Sequence, residues 1–258
     1  MWTRSSPRRP KRYWKSEDRG GRQMASEKDL EGQAESAENL DHHDRGHHHG
    51  HEHEGWWHQL RYLRHAPQLW TSPVNVAVVD LIDPREGETM LDVGAGMGPA
   101  VLAAARRVGD GRVFGLDPSP LMRGIMRFRR RTAGLADRLS IKKGKAEEIP
   151  LDDATVNGAW SINCVHHWGD DQGACTELGR VMKPGGRLLL LDEQFSDPAH
   201  PRHDSYDDSR HGEPGFFHEI DTDRLGGLLE QAGFRIERAG DESLDGVPVR
   251  LIRAVRRS

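Results

Sequence analysis

The sequence predicts an α/β fold, a doubly wound, mostly parallel seven-stranded sheet with a helical lid and a disordered tail ahead of it. Three observations carry that prediction. From residue 89 onward, apolar runs of strand length alternate with segments of helical composition. The first run, Met90 to Val93, leads into glycines at 94, 96 and 98 and then into the small-residue segment Pro99 to Ala105, which reads as strand, tight turn and helix start. The next run, Gly111 to Asp117, ends in an acid, at the place where open α/β sheets present a carboxylate to a ligand.

Ahead of this pattern the chain is polar. Met1 to Arg22 is basic and contains Pro7 and Pro10, and Ser26 to Asn39 is acidic. Asp41 to Glu54 then interleaves carboxylates with histidines, among them His47, His48, His49, His51 and His53. No apolar periodicity runs through residues 1–54, so they are expected to be a disordered tail. Its neutral imidazoles can capture Zn²⁺ or Ni²⁺ adventitiously, without a defined ligand spacing. The 258-residue chain has a formal net charge of -4 and a mean hydropathy of -0.77. That charge makes no global case for a specific nucleic-acid partner, and no apolar run reaches membrane length. Cys164 and Cys175 lack paired metal-ligand spacing and fit a reducing, cytoplasmic setting.

Residues 55–258 are expected to form the folded domain. Trp56, Trp57, Leu60 and Leu63 recur at helical spacing, and Ser72-Pro73 caps a second helix through Ile82. These helices either form a lid over the ligand or cover an edge of the sheet. After Asp117, Pro118 to Arg131 predicts a helix with Leu121, Ile125 and Phe128 as its buried stripe and Arg127, Arg129, Arg130 and Arg131 as a solvated face rather than a phosphate site. Strands follow at Leu139 to Lys142 and Val156 to Asn163, then a helix at Gly173 to Met182. Lys183-Pro-Gly-Gly186 is a sharp stop before the buried strand Arg187 to Leu191. Asp192 to Asp221 is a long polar connection, Thr222 to Ala232 a helix ended by Gly233, and Phe234 to Glu237 and Val249 to Val255 the last strands.

The glycine turn is spaced wrongly for a dinucleotide. Counting from Gly94, the third small position of that fingerprint falls on Pro99. Asp92 is awkward beside a pyrophosphate but suits a ligand that carries an ammonium group. Asp92-x-Gly94-x-Gly96-x-Gly98 resembles motif I of the class I S-adenosylmethionine-dependent methyltransferases, of the type that acts on small molecules. Gly144 to Asp153, Val165-His166-His167 and Lys183 to Gly186 resemble later segments of the same family, in order. The resemblance implies a Rossmann-like sheet, S-adenosyl-L-methionine as cofactor and a small-molecule methyl acceptor. It further implies a cofactor site of Asp92, Gly94, Ala95, Gly96, Gly98, Asp117, Pro118, Ala146, Glu147 and Asn163, with Asp117 on the ribose and Ala146 and Glu147 flanking the adenine. Two positions depart from the family pattern: Lys145 stands where an aspartate usually meets the adenine amino group, and Asn157 replaces another aspartate.

His166 or His167 is a candidate general base, the alternative being that they line the pocket and hold the loop. His200, His203, His211 and His218 are candidate acceptor or metal contacts in the long connection. Two rival functions remain at this point. One is a nicotinamide-dependent oxidoreductase using the same crevice, and the other is a metal-responsive binding protein with a vestigial cofactor site.

Overall fold

The structure, a computed structural model, describes residues 73–203 and 220–258. The expected tail, the helix at Trp56 to Leu63, the histidines from His47 to His53, and His211 and His218 lie outside these residues. Helix α1 (Pro73–Ile82) precedes β1 (Thr89–Val93), α2 (Pro99–Ala105), β2 (Arg112–Leu116), α3 (Pro120–Thr132), β3 (Leu139–Lys142) and β4 (Val156–Ile162). A 3₁₀ turn (Val165–His167), α4 (Asp171–Val181), β5 (Met182–Glu193), α5 (Thr222–Gln231), β6 (Phe234–Leu244) and β7 (Val247–Arg256) complete the order.

The seven strands form one sheet in the order β3-β2-β1-β4-β5-β7-β6. Strands β3 to β5 are parallel, while β7 runs antiparallel between β5 and β6. Side-chain alternation splits the core into two layers. Met90, Trp160, Leu189 and Leu191 face the layer that holds α1, α2 and Met126 of α3. Leu91, Val93, Leu188 and Leu190 face the layer of α4 and α5. Both faces being covered explains why β1, β4 and β5 read as continuous apolar runs.

The order of strands reverses between β1 and β4. In open α/β sheets, that switch point opens a crevice beyond the carboxyl ends of the strands. It gathers the loops after β1, β2, β4 and β5.

Four expectations are corrected. Helix α1 is a sheet cover rather than a lid, because Val74, Ala77, Val78, Val79 and Ile82 are all buried against α2, β4 and β5. In α3 the buried residues are Arg123 and Met126, while Phe128 is 65% exposed. Met126 sets this rotation: a Cβ at Gly98 would stand 2.6 Å from its Cγ, and one at Gly115 2.6 Å from its Sδ. The two glycines make a hollow that the flexible thioether fills, and Phe128, two residues on, turns to solvent. Lys183 to Gly186 does not stand before β5 but loops out within it: Met182 pairs with Val156, the next pair is Arg187 with Gly158, and Gly185 has φ 77°. The last two strands are longer than expected, joined by Asp245 (φ 51°) and Gly246 (φ 81°). An Asp-Gly pair with both φ positive is the tight hairpin turn that matches strand twist.

Candidate active site

The glycine turn is built by backbone bonds to the neighbouring strand. The Gly94 and Ala95 N–H groups both donate to the Leu116 carbonyl at 2.9 Å, and the Gly98 N–H donates to Ala95 O at 2.8 Å. Gly94, Gly96 and Gly98 have φ 78°, 52° and 78°, the left-handed region that only glycine enters without strain. At Gly94 a side chain is doubly excluded, since a Cβ there would overlap Cys164 Sγ. Pro99 then opens α2, where a missing N–H is harmless.

Asp117 follows β2 and reaches across to this turn. Its Oδ2 accepts the Gly96 N–H at 2.8 Å and its Oδ1 accepts the Ser119 N–H at 2.8 Å. Arg123 sits behind it and donates to the carbonyls of Asp117 and Pro118. Asp92, in β1, is 3% exposed, and burial pushes its carboxyl up to about 8; the charge of Asp117 adds to the rise, and the Trp160 indole works against it. Asp117 is also raised, first by burial, against the two N–H donors and Arg123. Cys164 lies among these acids. Burial, then the charges of Asp117, Asp192 and Asp92, push its thiol up to about 12. Three acids thus lie near one un-ionised thiol, with Arg123 directed to the carbonyls behind Asp117, and an acidic edge of this kind suits a cationic ligand.

Other expected residues are engaged differently. Ala146 is buried in the turn after β3, beside the bridge between Lys145 and Glu148. Glu147 Oε1 accepts the Gly169 N–H at 2.5 Å and the Asp170 N–H at 3.2 Å, so it holds the head of α4. Asn157 Oδ1 accepts from Thr89 N and Lys183 Nζ, joining β4 to its neighbours rather than facing the crevice. Asn163, with φ 51°, donates through Nδ2 to Glu193 Oε1 and accepts the Glu193 N–H on Oδ1.

Glu193 is the centre of a cluster that sequence reasoning missed. It is 3% exposed and accepts from Asn163, from His200 Nε2 at 3.1 Å and from Arg202 Nη2 at 2.8 Å. Burial alone would raise its carboxyl, but these donors outweigh it and hold it below the ordinary range. His200 Nδ1 accepts the Arg202 N–H at 3.0 Å, so its proton is on Nε2, aimed at Glu193. His203 Nδ1 stands 3.3 Å from Phe195 O. Both histidines therefore fold the connection back onto β5. A signal for Glu193 alone was available, since acids at 192 and 193 end a parallel apolar strand as Asp117 ends β2, but none pointed to its partners.

The same strand end positions a histidine. His166 Nδ1 lies 3.8 Å from Asp192 Oδ2, with side chains 4% and 1% exposed. Burial raises the Asp192 carboxyl and His166 opposes the rise. His167, exposed overall, packs on His166 with ring centroids 4.0 Å apart, and partial burial of its ring together with that neighbour pushes it down to about 4. His166 also lines a hollow of about 230 Å³ with Val165, Trp168, Ile220, Arg224 and Leu225. Among the described residues, no group of three or more His, Cys, Asp or Glu could hold a metal ion, and no helix is long and apolar enough to cross a membrane.

A seven-stranded sheet in this order, with a glycine turn and acids at its switch point, is the arrangement expected from the resemblance to the class I S-adenosylmethionine-dependent methyltransferases. Comparison with known proteins points the same way: residues 91–190, less than half of the chain, match the family described as methyltransferase domain, which favours the methyltransferase reading over the nicotinamide one.

A protein of Streptomyces fradiae, described as an uncharacterized 37.1 kDa protein in a transposon, is 35% identical over 114 residues, covering 44% of this chain and 32% of that one. An O-methyltransferase of Penicillium expansum is 31% identical over 155 residues, covering 60% of this chain and 55% of that one. The chain thus spans between a third and a little over half of these two relatives. A solved S-adenosylmethionine-dependent methyltransferase from Aquifex aeolicus shares the fold, with a TM-score of 0.58 at 23% identity over 77% of this chain and 97% of that one.

Proposed function

We propose that the protein transfers a methyl group from S-adenosylmethionine to a hydroxyl-bearing small molecule, with His166 as general base and Asp192 positioning it. The observation that carries the reading is the acidic edge of Asp92, Asp117 and Asp192 near Cys164, where Gly94 to Gly98 leave the backbone open. When bound, the cofactor supplies an electrophilic methyl on a cationic sulfur.

The chain's own residues do the rest. Asp117, at the end of β2, accepts hydrogen bonds from a ribose diol. Asp92 supplies negative charge toward an ammonium group. The turn of Gly94, Ala95, Gly96 and Gly98 presents main-chain groups with little side-chain cover, and Pro118, Ala146, Glu147 and Asn163 border the ligand in this reading. Lys145 offers only donors, so the adenine amino group is met elsewhere. Asp192 Oδ2 stands 3.8 Å from His166 Nδ1 and closes to a hydrogen bond when the site is loaded, which directs Nε2 to the proton of an acceptor hydroxyl. Alignment in a site that excludes water supplies the remaining rate.

The O-methyltransferase of Penicillium expansum, at 31% identity, supports oxygen as the accepting atom. The test is transfer of labelled methyl to a panel of phenols and alcohols. His166→Gln is expected to lower kcat by about 10²-fold or more while leaving cofactor affinity unchanged. Full activity in that variant removes the base from the account, and absence of transfer to every acceptor class removes the function.

A further inference from the structure

Many arginines among the described residues sit in ion pairs. Arg85, Arg107, Arg180, Arg187, Arg224, Arg235 and Arg250 each face a carboxylate in an ion pair. Around α3 the pattern stops. Arg106, Arg127, Arg131 and Arg138 have no carboxylate partner among the described residues, and Asp137, beside Arg138 in sequence, pairs with none of them. The charge of Arg106 acts on Arg129, and Arg138 immediately precedes Leu139, whose carbonyl Arg130 takes, so positive charge gathers around α3.

The geometry of α3 gives that charge a face. Gly124, Arg127, Phe128 and Arg131 share its exposed side, at the spacing of one helical stripe. Arg129 reaches to Met97 O on one flank, where the nearby charge of Arg106 and, more strongly, burial lower it. On the other flank Arg130 donates to Leu139 O, next to Arg138. Phe128 stands in the middle. At 65% exposure it is the more open of the two large exposed apolar side chains among the described residues, and the other, Val76, is on α1.

We propose that this face binds single-stranded nucleic acid without sequence selectivity, with Phe128 stacking on a base and Arg127 and Arg131, flanked by Arg106 and Arg138, on phosphates. The inference goes beyond the methyl-transfer reading and does not depend on it. Charge complementarity selects a polyanion and rules out a second copy of the same face. A membrane-surface helix needs an apolar stripe several residues wide, and α3 offers one phenyl ring. Guanidinium groups rather than ammonium groups surround that ring, which suits planar contact with phosphate, and a lone aromatic among them is a stacking platform.

The test uses the full chain and a short labelled oligouridylate, titrated by fluorescence polarisation across a salt series. Saturable binding is expected, weakening as salt rises. Arg127→Gln with Arg131→Gln should make the slope of log affinity against log salt shallower by about 1.4, at about 0.7 for each phosphate no longer neutralised. Phe128→Ala should weaken binding about tenfold and leave the slope unchanged. All three side chains are exposed, and unchanged thermal melting controls for folding. The proposal is overturned if the wild-type chain does not bind at low salt, or if both variants bind as the wild type does. It is also overturned if vesicles rich in anionic lipid are bound through Phe128 and the oligonucleotide is not.

Discussion

Asp92 is where local chemistry reaches furthest. Its carboxyl is pushed up to about 8 by burial, so between about 4 and 8 the folded protein holds a proton that the unfolded chain has released. Its contribution is therefore complete below the unfolded value and is lost as pH rises through the folded one, at up to about 1.4 kcal/mol per pH unit. Asp92→Asn should be more stable than the wild type in urea at pH 8 and lose that advantage at pH 4; equal midpoints at pH 8 would contradict the assignment. A cationic ligand favours the ionised acid, so cofactor affinity should rise from pH 6 to 8 with proton release, seen as binding heats that depend on the buffer.

Gly94 tests the other half of the site. Gly94→Ala meets both a φ of 78° and the Cys164 sulfur. It should lower stability by at least the 1–2 kcal/mol that left-handed backbone costs roughly per residue. Cys164→Gly in that background should recover only part of the loss. An unchanged melting temperature for Gly94→Ala alone would show that the turn is not held as described.

Among the elements, α3 and α5 show what sequence reveals and conceals. Helix α5 was legible almost to the residue, because Asp221 caps it through the Arg224 N–H and Gly233, at φ 87°, follows its end. Asp221→Ala should therefore cost about 1 kcal/mol, read as a lower urea midpoint at constant slope, and no change would mean the cap is idle. The extent of α3 was legible from Ser119 and Pro120, but not its rotation. Three apolar residues at helical spacing pointed to Phe128 as core, whereas the hollow left by Gly98 and Gly115 selects Met126. That selection is tertiary, and no pattern within the helix encodes it. The looping-out of Lys183 to Gly186 was hidden likewise, since extended residues on both sides make a bulge and a strand start look alike. The β6–β7 hairpin was different: Asp245-Gly246 is a local signal for it, but that turn and the reach of its strands both went unread.

For the whole molecule, the fold was the most legible property, because alternating strand and helix patterns leave few topologies open. The sheet order then brings Asp92, Gly94 to Gly98, Asp117, Cys164, His166, Asp192 and Glu193 to one edge. Residues at strand ends were readable from position alone. The Glu193, His200 and Arg202 cluster was not, because it depends on how the long connection folds back onto β5.

The account stands on Asp117 as an anchor of the cofactor site, and one measurement addresses it most directly: calorimetric titration of S-adenosylmethionine and its demethylated product into the wild-type chain and into Asp117→Ala. Saturable binding to the wild type, weakened by at least about tenfold in the variant with its fold intact, is the predicted result, since a charge-assisted hydrogen bond contributes about 1.5–3 kcal/mol. Equal affinity in both proteins, or no heat with either ligand, would contradict it.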